Sequence, residues 1–201
     1  MKSVTVIETG LANIASVEWA FKRLGAAVTR TTDPHLVRKA ERVILPGVGA
    51  FGAAAPMLHA SGLAESIRER IEADRPTLAI CLGFQLLAES SDESPGTPGI
   101  GCVEGRIIRI PDGPLVPQLG WNRVSFAGSS ALDDGYAYFA NSYCLATAPT
   151  GWATARTHYG VSMISAIHRG SILGCQFHPE LSGEWGQKLL RNWLSHEGAT
   201  C

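Results

Sequence analysis

Short apolar runs alternate with amphipathic stretches through the first half of the chain. The apolar runs have the length and composition of buried strands, and they lie at 3–7, 27–30, 42–45 and 76–80. Between them, apolar residues recur at intervals of three and four, a spacing that predicts helices over 13–24, 54–58 and 63–71. Because strands and helices alternate, the pattern predicts a parallel sheet covered by helices on both faces.

The pattern changes after a loop predicted over 90–101, which is rich in Ser, Pro and Gly. Beyond this loop, short β-like runs separated by turn residues lie at 102–110, 136–145, 152–157 and 172–177. An amphipathic helix is predicted over 184–196. We find no repeat and no linker, and therefore expect one α/β domain over 1–201, with a mostly parallel central sheet flanked by helices and a β-rich C-terminal half.

Cys81 stands where a predicted strand, 76–80, gives way to a predicted helix. A nucleophile on such a sharp turn is held in a strained conformation that needs small residues nearby, here Ala79 and Gly83. Gln85 lies one helical turn further on, and its amide is expected to point along the same helix face. A lone buried cysteine is structural more often than catalytic, but this setting favours a nucleophile.

A histidine and a glutamate follow another predicted strand end. His178 comes directly after the apolar run at 172–177, and Glu180 follows two residues later, near enough to hydrogen-bond the imidazole and fix its tautomer. Alone, His178 is more often a satisfied or surface histidine, and a glutamate after a proline is often only a solvated loop charge. Together with Cys81 they supply the parts of an activated thiol nucleophile, in which His178 is the base and Glu180 orients it.

Gly47, Val48 and Gly49 follow the strand predicted over 42–45. The segment is either a plain glycine turn or a loop whose backbone N–H groups approach a substrate closely, and its spacing matches neither a phosphate-binding loop nor a dinucleotide fingerprint. An oxyanion hole needs two N–H donors. The candidates are the N–H group of Gly49 (or Val48) and that of Leu82.

The composition excludes several classes of protein. Of the 201 residues, 45% are hydrophobic and 17% charged, as in an ordinary globular protein. The formal net charge is -1 and the basic residues do not cluster, which argues against a nucleic-acid partner. No apolar run is long enough to cross a membrane, and no secretory signal is evident, so we expect a cytoplasmic protein.

The five cysteines are widely spaced and include no Cys-x-x-Cys pair, which argues against a metal site or a disulfide framework. Cys102, Cys144 and Cys175 lie in apolar, strand-like runs and are expected to be small buried hydrophobic residues. Cys201 is terminal, and no role is assigned to it.

Three motifs occur in order: Pro-Gly-Val-Gly at 46–49, Cys-Leu-Gly-x-Gln at 81–85 and His-Pro-Glu at 178–180. In this the chain resembles the class I glutamine amidotransferases. The resemblance implies a flavodoxin-like α/β fold and hydrolysis of the glutamine amide through a thioester on Cys81, with ammonia passed to a synthase. It implies no metal and no organic cofactor. The residues expected to bind the substrate and its oxyanion are Gly47, Val48, Gly49, Leu82, Gln85, Asn141, Ser142 and Tyr143.

Segments at 101–105, 119–122 and 138–143 more narrowly resemble the glutaminase subunit of imidazole glycerol phosphate synthase. That resemblance implies a heterodimer with a (β/α)8-barrel cyclase, which makes imidazole glycerol phosphate and AICAR in histidine biosynthesis. It implies a partner interface that includes Asn13, Trp121 and Leu181. Trp121 alternatively belongs to the core.

The chain departs from that family at several positions. Gln118 and Asn141 stand where the family usually has histidine, and Leu181 stands where it usually has lysine. A paralogous amidotransferase that supplies a different synthase, for example in surface-sugar biosynthesis, therefore stays open. Two further alternatives are a cysteine peptidase or stress-response relative of the same fold, and a catalytically silent binding or regulatory subunit.

Overall fold

The computed structural model describes residues 1–10, 13–111, 115–126 and 133–195. The strands in these ranges are β1 (Ser3–Ile7), β2 (Ala27–Thr31), β3 (Val43–Gly47), β4 (Thr77–Cys81), β5 (Ala88–Ser91), β6 (Val103–Arg109), β7 (Gln118–Phe126), β8 (Gly135–Asn141), β9 (Tyr143–Leu145), β10 (Ala153–Tyr159), β11 (Val161–Arg169) and β12 (Ile172–Cys175). The helices are α1 (Ile14–Arg23), α2 (Pro34–Lys39), α3 (Phe51–Ala60), α4 (Leu63–Glu72), α5 (Leu82–Leu86) and α6 (Gly183–Ser195), with a 3-10 turn at Pro179–Leu181.

One mixed sheet organises the molecule, with its main strands in the order β2-β1-β3-β4-β12-β11-β10-β7-β8. The strands from β2 to β12 in this order run parallel, and those from β12 to β8 run antiparallel. The remaining strands, β5, β6 and β9, join the sheet through β11. The predicted fold class, an α/β protein with a parallel sheet and a β-rich second half, is confirmed.

The central parallel strands β3, β4 and β12 are buried on both faces, which is why their sequences read as continuous apolar runs. On β3, Leu45 packs in a core cluster with α3 and α4, whereas its neighbour Ile44 packs in the opposite cluster with α1 and α6. On β4, Ala79 and Ile80 divide in the same way. Helices on both faces therefore hold this part of the sheet rigid, and they fix the ends of β3 and β4.

The pairing of β12 with β4 brings distant parts of the chain together. The two strands are parallel, with Cys175 in register with Ile80. The residues that follow each strand therefore emerge at the same edge of the sheet, where ligands of open α/β sheets bind. Cys81 and His178 leave the sheet side by side for this reason.

Several elements differ from the sequence prediction. α2, β7 and β11 were not predicted, and β5 occupies the start of a stretch predicted as a loop. The run predicted at 136–145 is two strands, because the chain breaks at Ser142 between β8 and β9. Cys144 and Cys175 are buried as predicted, but Cys102 is only half-buried and precedes β6. His196 and Cys201 lie outside the described residues, as do Leu11 and Ala12.

Among the helices of the described ranges, none has both the length and the apolar character that a membrane-spanning helix needs.

Candidate active site

Cys81 occupies a strained turn between β4 and α5. Its backbone has φ 55° and ψ −111°, a conformation that non-glycine residues rarely adopt. The turn is tight because β3 passes directly beneath it: a Cβ on Gly83 would overlap the carbonyl oxygen of Leu45. A Cβ on Gly47 would lie 2.8 Å from the Gly83 nitrogen. Close backbone approach thus explains both glycines.

His178 immediately precedes the 3-10 turn that follows β12, and Glu180 lies on that turn. The His178 Nδ1 atom is 2.8 Å from Glu180 Oε1, and both side chains are almost fully buried. The backbone N–H of His178 donates to the Tyr138 carbonyl at 2.9 Å, which anchors the turn to β8. Since Nδ1 is engaged by the carboxylate, Nε2 is the ring nitrogen left for another partner.

The protonation of His178 is set by two opposing influences. Burial acts to lower the imidazole pKa, but hydrogen bonds with Cys81 and Glu180 outweigh it and raise the pKa to about 10. The imidazole therefore holds its proton at neutral pH. A protonated histidine beside a cysteine is the arrangement that stabilises a thiolate nucleophile.

A cleft of about 330 Å³ opens beside these groups. This volume is near the lower end of the range found for small-molecule sites. The sequence-predicted residues that line it are Val48, Gly49, Cys81, Leu82, Gln85, Asn141, Ser142, Tyr143 and His178. Gly47 does not line it, contrary to the prediction, because it is buried in β3 against the Cys81 turn.

Glu93 lines the same cleft, and sequence reasoning missed it. Its Oε2 atom accepts a hydrogen bond of 2.7 Å from the backbone N–H of Phe51, at the start of α3. A carboxylate in this position suits a ligand with an ammonium group. The sequence offered no signal beyond an acidic residue in a predicted loop.

Gln176 is the second residue that sequence reasoning missed. It is buried at the end of β12, and its Nε2 atom lies 3.8 Å from Cys81 Sγ. Its Oε1 atom accepts from Gln85 Nε2 at 3.0 Å, and the same Gln85 nitrogen donates to the Tyr143 carbonyl at 3.1 Å. The amide of Gln85 is therefore held between the cleft wall and Gln176.

Gly49 and Val48 form the wall of the cleft that follows β3. Gly49 has φ +104°, a conformation open to glycine and costly for other residues. The backbone N–H groups of this loop and of Leu82 remain the candidates for stabilising an oxyanion, because both segments border the cleft beside Cys81.

The three residues predicted at a partner interface lie on the surface. Asn13 is exposed at the start of α1 and donates to Ser16 Oγ at 3.0 Å. Trp121 is 55% exposed and Leu181 41% exposed, so the alternative that Trp121 is a core residue is wrong. Trp121 packs edge-on against Tyr138 on the neighbouring strand.

Exposed apolar side chains continue from the cleft along β7 and β8. We name the set of Leu119, Trp121, Tyr136 and Leu181 the apolar rim; each member is at least 41% exposed. Leu119 also lines the cleft, so the rim reaches the cleft mouth. Apolar groups gathered at the mouth of a site are typical of a surface that a partner covers.

Gln118 and Asn141 are cross-strand neighbours on β7 and β8. Both are buried, and neither Gln118 side-chain polar atom has a hydrogen-bond partner among the described residues. Asn141 donates from Nδ2 to the Tyr143 carbonyl at 3.0 Å. The two positions where the resembled family usually has histidine thus lie side by side, and Asn141 lines the cleft.

The other described cysteines differ from Cys81 in their surroundings. Burial raises the pKa of Cys102 to about 12, that of Cys144 to about 11 and that of Cys175 well above its ordinary value. These thiols are therefore poor nucleophiles at neutral pH. Within the described ranges, no group of three or more His, Cys, Asp or Glu side chains is arranged to hold a metal ion.

The family model described as "Glutamine amidotransferase class-I" matches residues 6–196. The chain belongs to this family. It hydrolyses glutamine as a glutamine amidotransferase, and the alternatives of a cysteine peptidase and a stress-response protein are set aside.

Two relatives are similar over nearly their whole length. One, named imidazole glycerol phosphate synthase subunit HisH, from Methanothermobacter thermautotrophicus, is 43% identical over 195 residues, which are 95% of this chain and 97% of that protein. A protein of the same name from Haemophilus influenzae is 41% identical over 200 residues, which are 96% of this chain and 98% of the relative.

Solved structures agree on the fold. A crystal structure of a glutamine amidotransferase has a TM-score of 0.78 at 21% identity and covers 96% of this chain and 98% of its own. The structure of PurLQS from Thermotoga maritima has a TM-score of 0.73 at 18% identity, with 96% and 97% covered. At these identities the likeness concerns the fold.

Proposed function

We propose that this chain is the glutaminase subunit of an imidazole glycerol phosphate synthase. The observation that carries the proposal is that Cys81 and His178 line one cleft, with Glu180 hydrogen-bonded to His178, in a chain about 40% identical to subunits of that name. The match of the family model to 6–196 supports a single amidotransferase domain over the whole chain. The cytoplasmic location expected from the sequence is part of this proposal.

The reaction begins with attack of the Cys81 sulfur on the side-chain amide carbon of glutamine. The thiol proton rests on His178, as its raised pKa supports, and Glu180 holds the ring through Nδ1. N–H groups of the 48–49 loop and of Leu82 stabilise the tetrahedral oxyanion. His178 then protonates the departing nitrogen, which leaves as ammonia, and a thioester remains on Cys81.

Water completes the cycle. It adds to the thioester carbon and gives up a proton to His178, and the carbon–sulfur bond breaks to release glutamate. The second tetrahedral intermediate uses the same oxyanion donors as the first. Apart from water, these steps use only groups of the chain itself.

The cleft also provides groups for the amino-acid part of glutamine. We assign Glu93 to the α-ammonium group, since its carboxylate lines the cleft and is fixed by the Phe51 N–H. Gln85 and the backbone of Asn141, Ser142 and Tyr143 are assigned to the rest of the substrate. Charge pairing with Glu93 favours a free amino acid over a glutamine within a polypeptide, which has no α-ammonium group.

The partner in this proposal is a (β/α)8-barrel cyclase that covers the apolar rim. Trp121 and Leu181 belong to that rim, and Asn13 is assigned to the same interface. Ammonia from the cleft enters the cyclase, which forms imidazole glycerol phosphate and AICAR in histidine biosynthesis. The second candidate is supply of ammonia to another synthase, and the apolar Leu181 at the exposed turn beside the triad is the observation that favours it.

Glutamate release from glutamine tests the proposal. The chain is assayed alone, with the cyclase from the same genome, and with the cyclase plus phosphoribulosyl aminoimidazole carboxamide nucleotide, against Cys81→Ala as a blank. We expect release to rise strongly in the full mixture, together with imidazole glycerol phosphate. Glutamate without that product points to another synthase, and no release in any mixture contradicts the proposal.

A further inference from the structure

We propose that Gln176 is a positioning residue that holds the Cys81 sulfur and links it to the substrate-binding segment around Tyr143. The inference deepens the proposed glutaminase function and rests on it. Gln176 is 1% exposed, and its amide nitrogen is 3.8 Å from Cys81 Sγ. His178 and Gln176 thus approach the same sulfur.

The orientation of the Gln176 amide follows from a chain of hydrogen bonds that starts at a backbone carbonyl. The Tyr143 carbonyl can only accept, so the Gln85 atom 3.1 Å away is its NH2 group. The second hydrogen of that group goes to Gln176, which must therefore present its oxygen at 3.0 Å. The Gln176 NH2 group is then left to face the sulfur.

The fold fixes Gln176 in this place. The residue before it, Cys175, is in register with Ile80, so Gln176 and Cys81 leave paired strands together. The backbone N–H of Gln176 donates to the Ser165 carbonyl at 2.9 Å, which ties the residue to β11 as well. A buried amide is costly unless both ends are paired, and here the oxygen pairs with Gln85 and the nitrogen with the sulfur.

An N–H donor contributes most when the sulfur carries negative charge, because charged acceptors form stronger hydrogen bonds than neutral ones. In the proposed mechanism the sulfur attacks glutamine as a thiolate and becomes a thiolate again when the thioester breaks. Gln176 therefore favours both states and holds the side chain of a residue whose backbone is strained. The chain of hydrogen bonds from Cys81 through Gln176 and Gln85 ends on the Tyr143 carbonyl. A movement of Tyr143 in the cleft wall would therefore change the position of the Cys81 sulfur.

The test compares Gln176→Glu with Gln176→Met. The glutamate variant keeps an oxygen for Gln85 but places an acceptor against the sulfur, whereas the methionine variant removes both hydrogen bonds. The matched control is Gln187→Glu, the same change at a half-exposed position of α6. Alkylation of Cys81 by iodoacetamide between pH 6 and pH 9 is followed on its own peptide by mass spectrometry, and kcat and KM for glutamine are measured with the partner present.

We expect Gln176→Glu to slow alkylation of Cys81 at neutral pH by about tenfold or more and to move its profile to higher pH, as loss of a hydrogen bond to a charged group implies. Gln176→Met should slow it less, and the control should match wild type. We expect kcat to fall while KM changes by less than about threefold, since the lost contact is to the nucleophile.

Two results overturn the inference. The first is alkylation in both Gln176 variants at the wild-type rate. The second is near-normal kcat in Gln176→Glu together with a large loss in Gln176→Met, which would mean that Gln176 serves only to hold Gln85. If Gln176→Glu does not fold, as judged by circular dichroism, the alkylation rate of Gln176→Met decides. Alkylation needs neither glutamine nor a synthase, so slowed alkylation in a chain that releases no glutamate contradicts the proposed function and leaves the Gln176 inference standing.

Discussion

Gly83 lies so close to the carbonyl oxygen of Leu45 that the turn bearing Cys81 has no room for a Cβ at position 83. The contact joins the end of β3 to the first turn of α5 and so fixes the height of the sulfur above the sheet edge. A glycine that sequence reasoning explained by the strain of the turn is in fact required by the neighbouring strand.

We predict that Gly83→Ala lowers the free energy of unfolding by about 1–3 kcal/mol, the usual cost of overpacking a tight core, and that glutaminase activity falls because the turn shifts. Denaturant unfolding and glutamate release measure the two effects. Gly52→Ala is the comparison: its Cβ would meet Ser94 Oγ, which can rotate, and Ser94 Cβ at 3.0 Å, but no backbone atom, so its loss of stability should be smaller. Equal stability of Gly83→Ala and wild type would contradict the close approach.

The conformation of Cys81 leads to a second prediction. Both Cys81→Ala and Cys81→Gly should abolish glutamine hydrolysis, because each removes the sulfur. Glycine should nevertheless give the more stable protein, by about 1 kcal/mol, since φ 55° and ψ −111° strain any residue with a Cβ. Chemical unfolding of the two variants measures the difference. An alanine variant more stable than the glycine variant would mean that the turn is unstrained.

His178 should make stability depend on pH in a stated direction. Its folded pKa, about 10, lies above the unfolded value of 6.5, so its contribution is complete below pH 6.5 and is lost as the pH rises towards 10. We predict that the difference in unfolding free energy between wild type and His178→Asn shrinks from pH 6 to pH 10. Urea unfolding at several pH values tests this; a difference that grows with pH would show that the folded imidazole is neutral.

The local sequence pattern was sufficient to predict much of the parallel half of the sheet and to single out Cys81 as the nucleophile. The strands β3 and β4 are buried on both faces, so their apolar runs stand out, whereas β2 at the sheet edge is only partly buried. β7 was missed because its alternation is inverted: the apolar side chains of Leu119 and Trp121 are exposed, whereas the polar side chain of Gln118 is buried. β11 was missed because serines interrupt its apolar residues, although Ser165 is fully buried.

Gln176 and Glu93 were missed in the sequence for a different reason. Gln176 meets Cys81 only because β12 inserts beside β4, a strand order that no local pattern specifies. Glu93 reaches the cleft because its loop folds back onto the start of α3. By contrast, His178 was found because a motif and a strand end coincide in the sequence.

The buried side chain of Gln118 leads to a prediction about stability. Both polar atoms of its side chain are buried without a partner among the described residues, and a buried amide in that state costs about 1–3 kcal/mol. We therefore expect Gln118→Met, which has a similar shape, to raise the unfolding free energy by about 1 kcal/mol. Gln187→Met, the same change at a half-exposed position of α6, is the control. A less stable Gln118→Met would show that the amide has a bonding partner.

The last prediction concerns Leu181, which is exposed beside the triad on the 3-10 turn. If the partner covers the apolar rim, Leu181→Asp should weaken association by about tenfold or more, because the carboxylate would be buried at the interface without a partner charge. Partner-stimulated ammonia transfer should fall with it. Glutamate release by the chain alone should change far less, since Leu181 does not line the cleft.

Leu36→Asp is the matched control for this prediction. Leu36 is 55% exposed on α2, an element apart from the apolar rim, so the same charge there should leave association unchanged. Titration calorimetry with the cyclase measures both affinities. Equal affinity of Leu181→Asp and wild type would place position 181 outside the contact. Weakened binding by both variants would instead indicate a general effect of net charge, and the partner would then have to be sought on another face of the molecule.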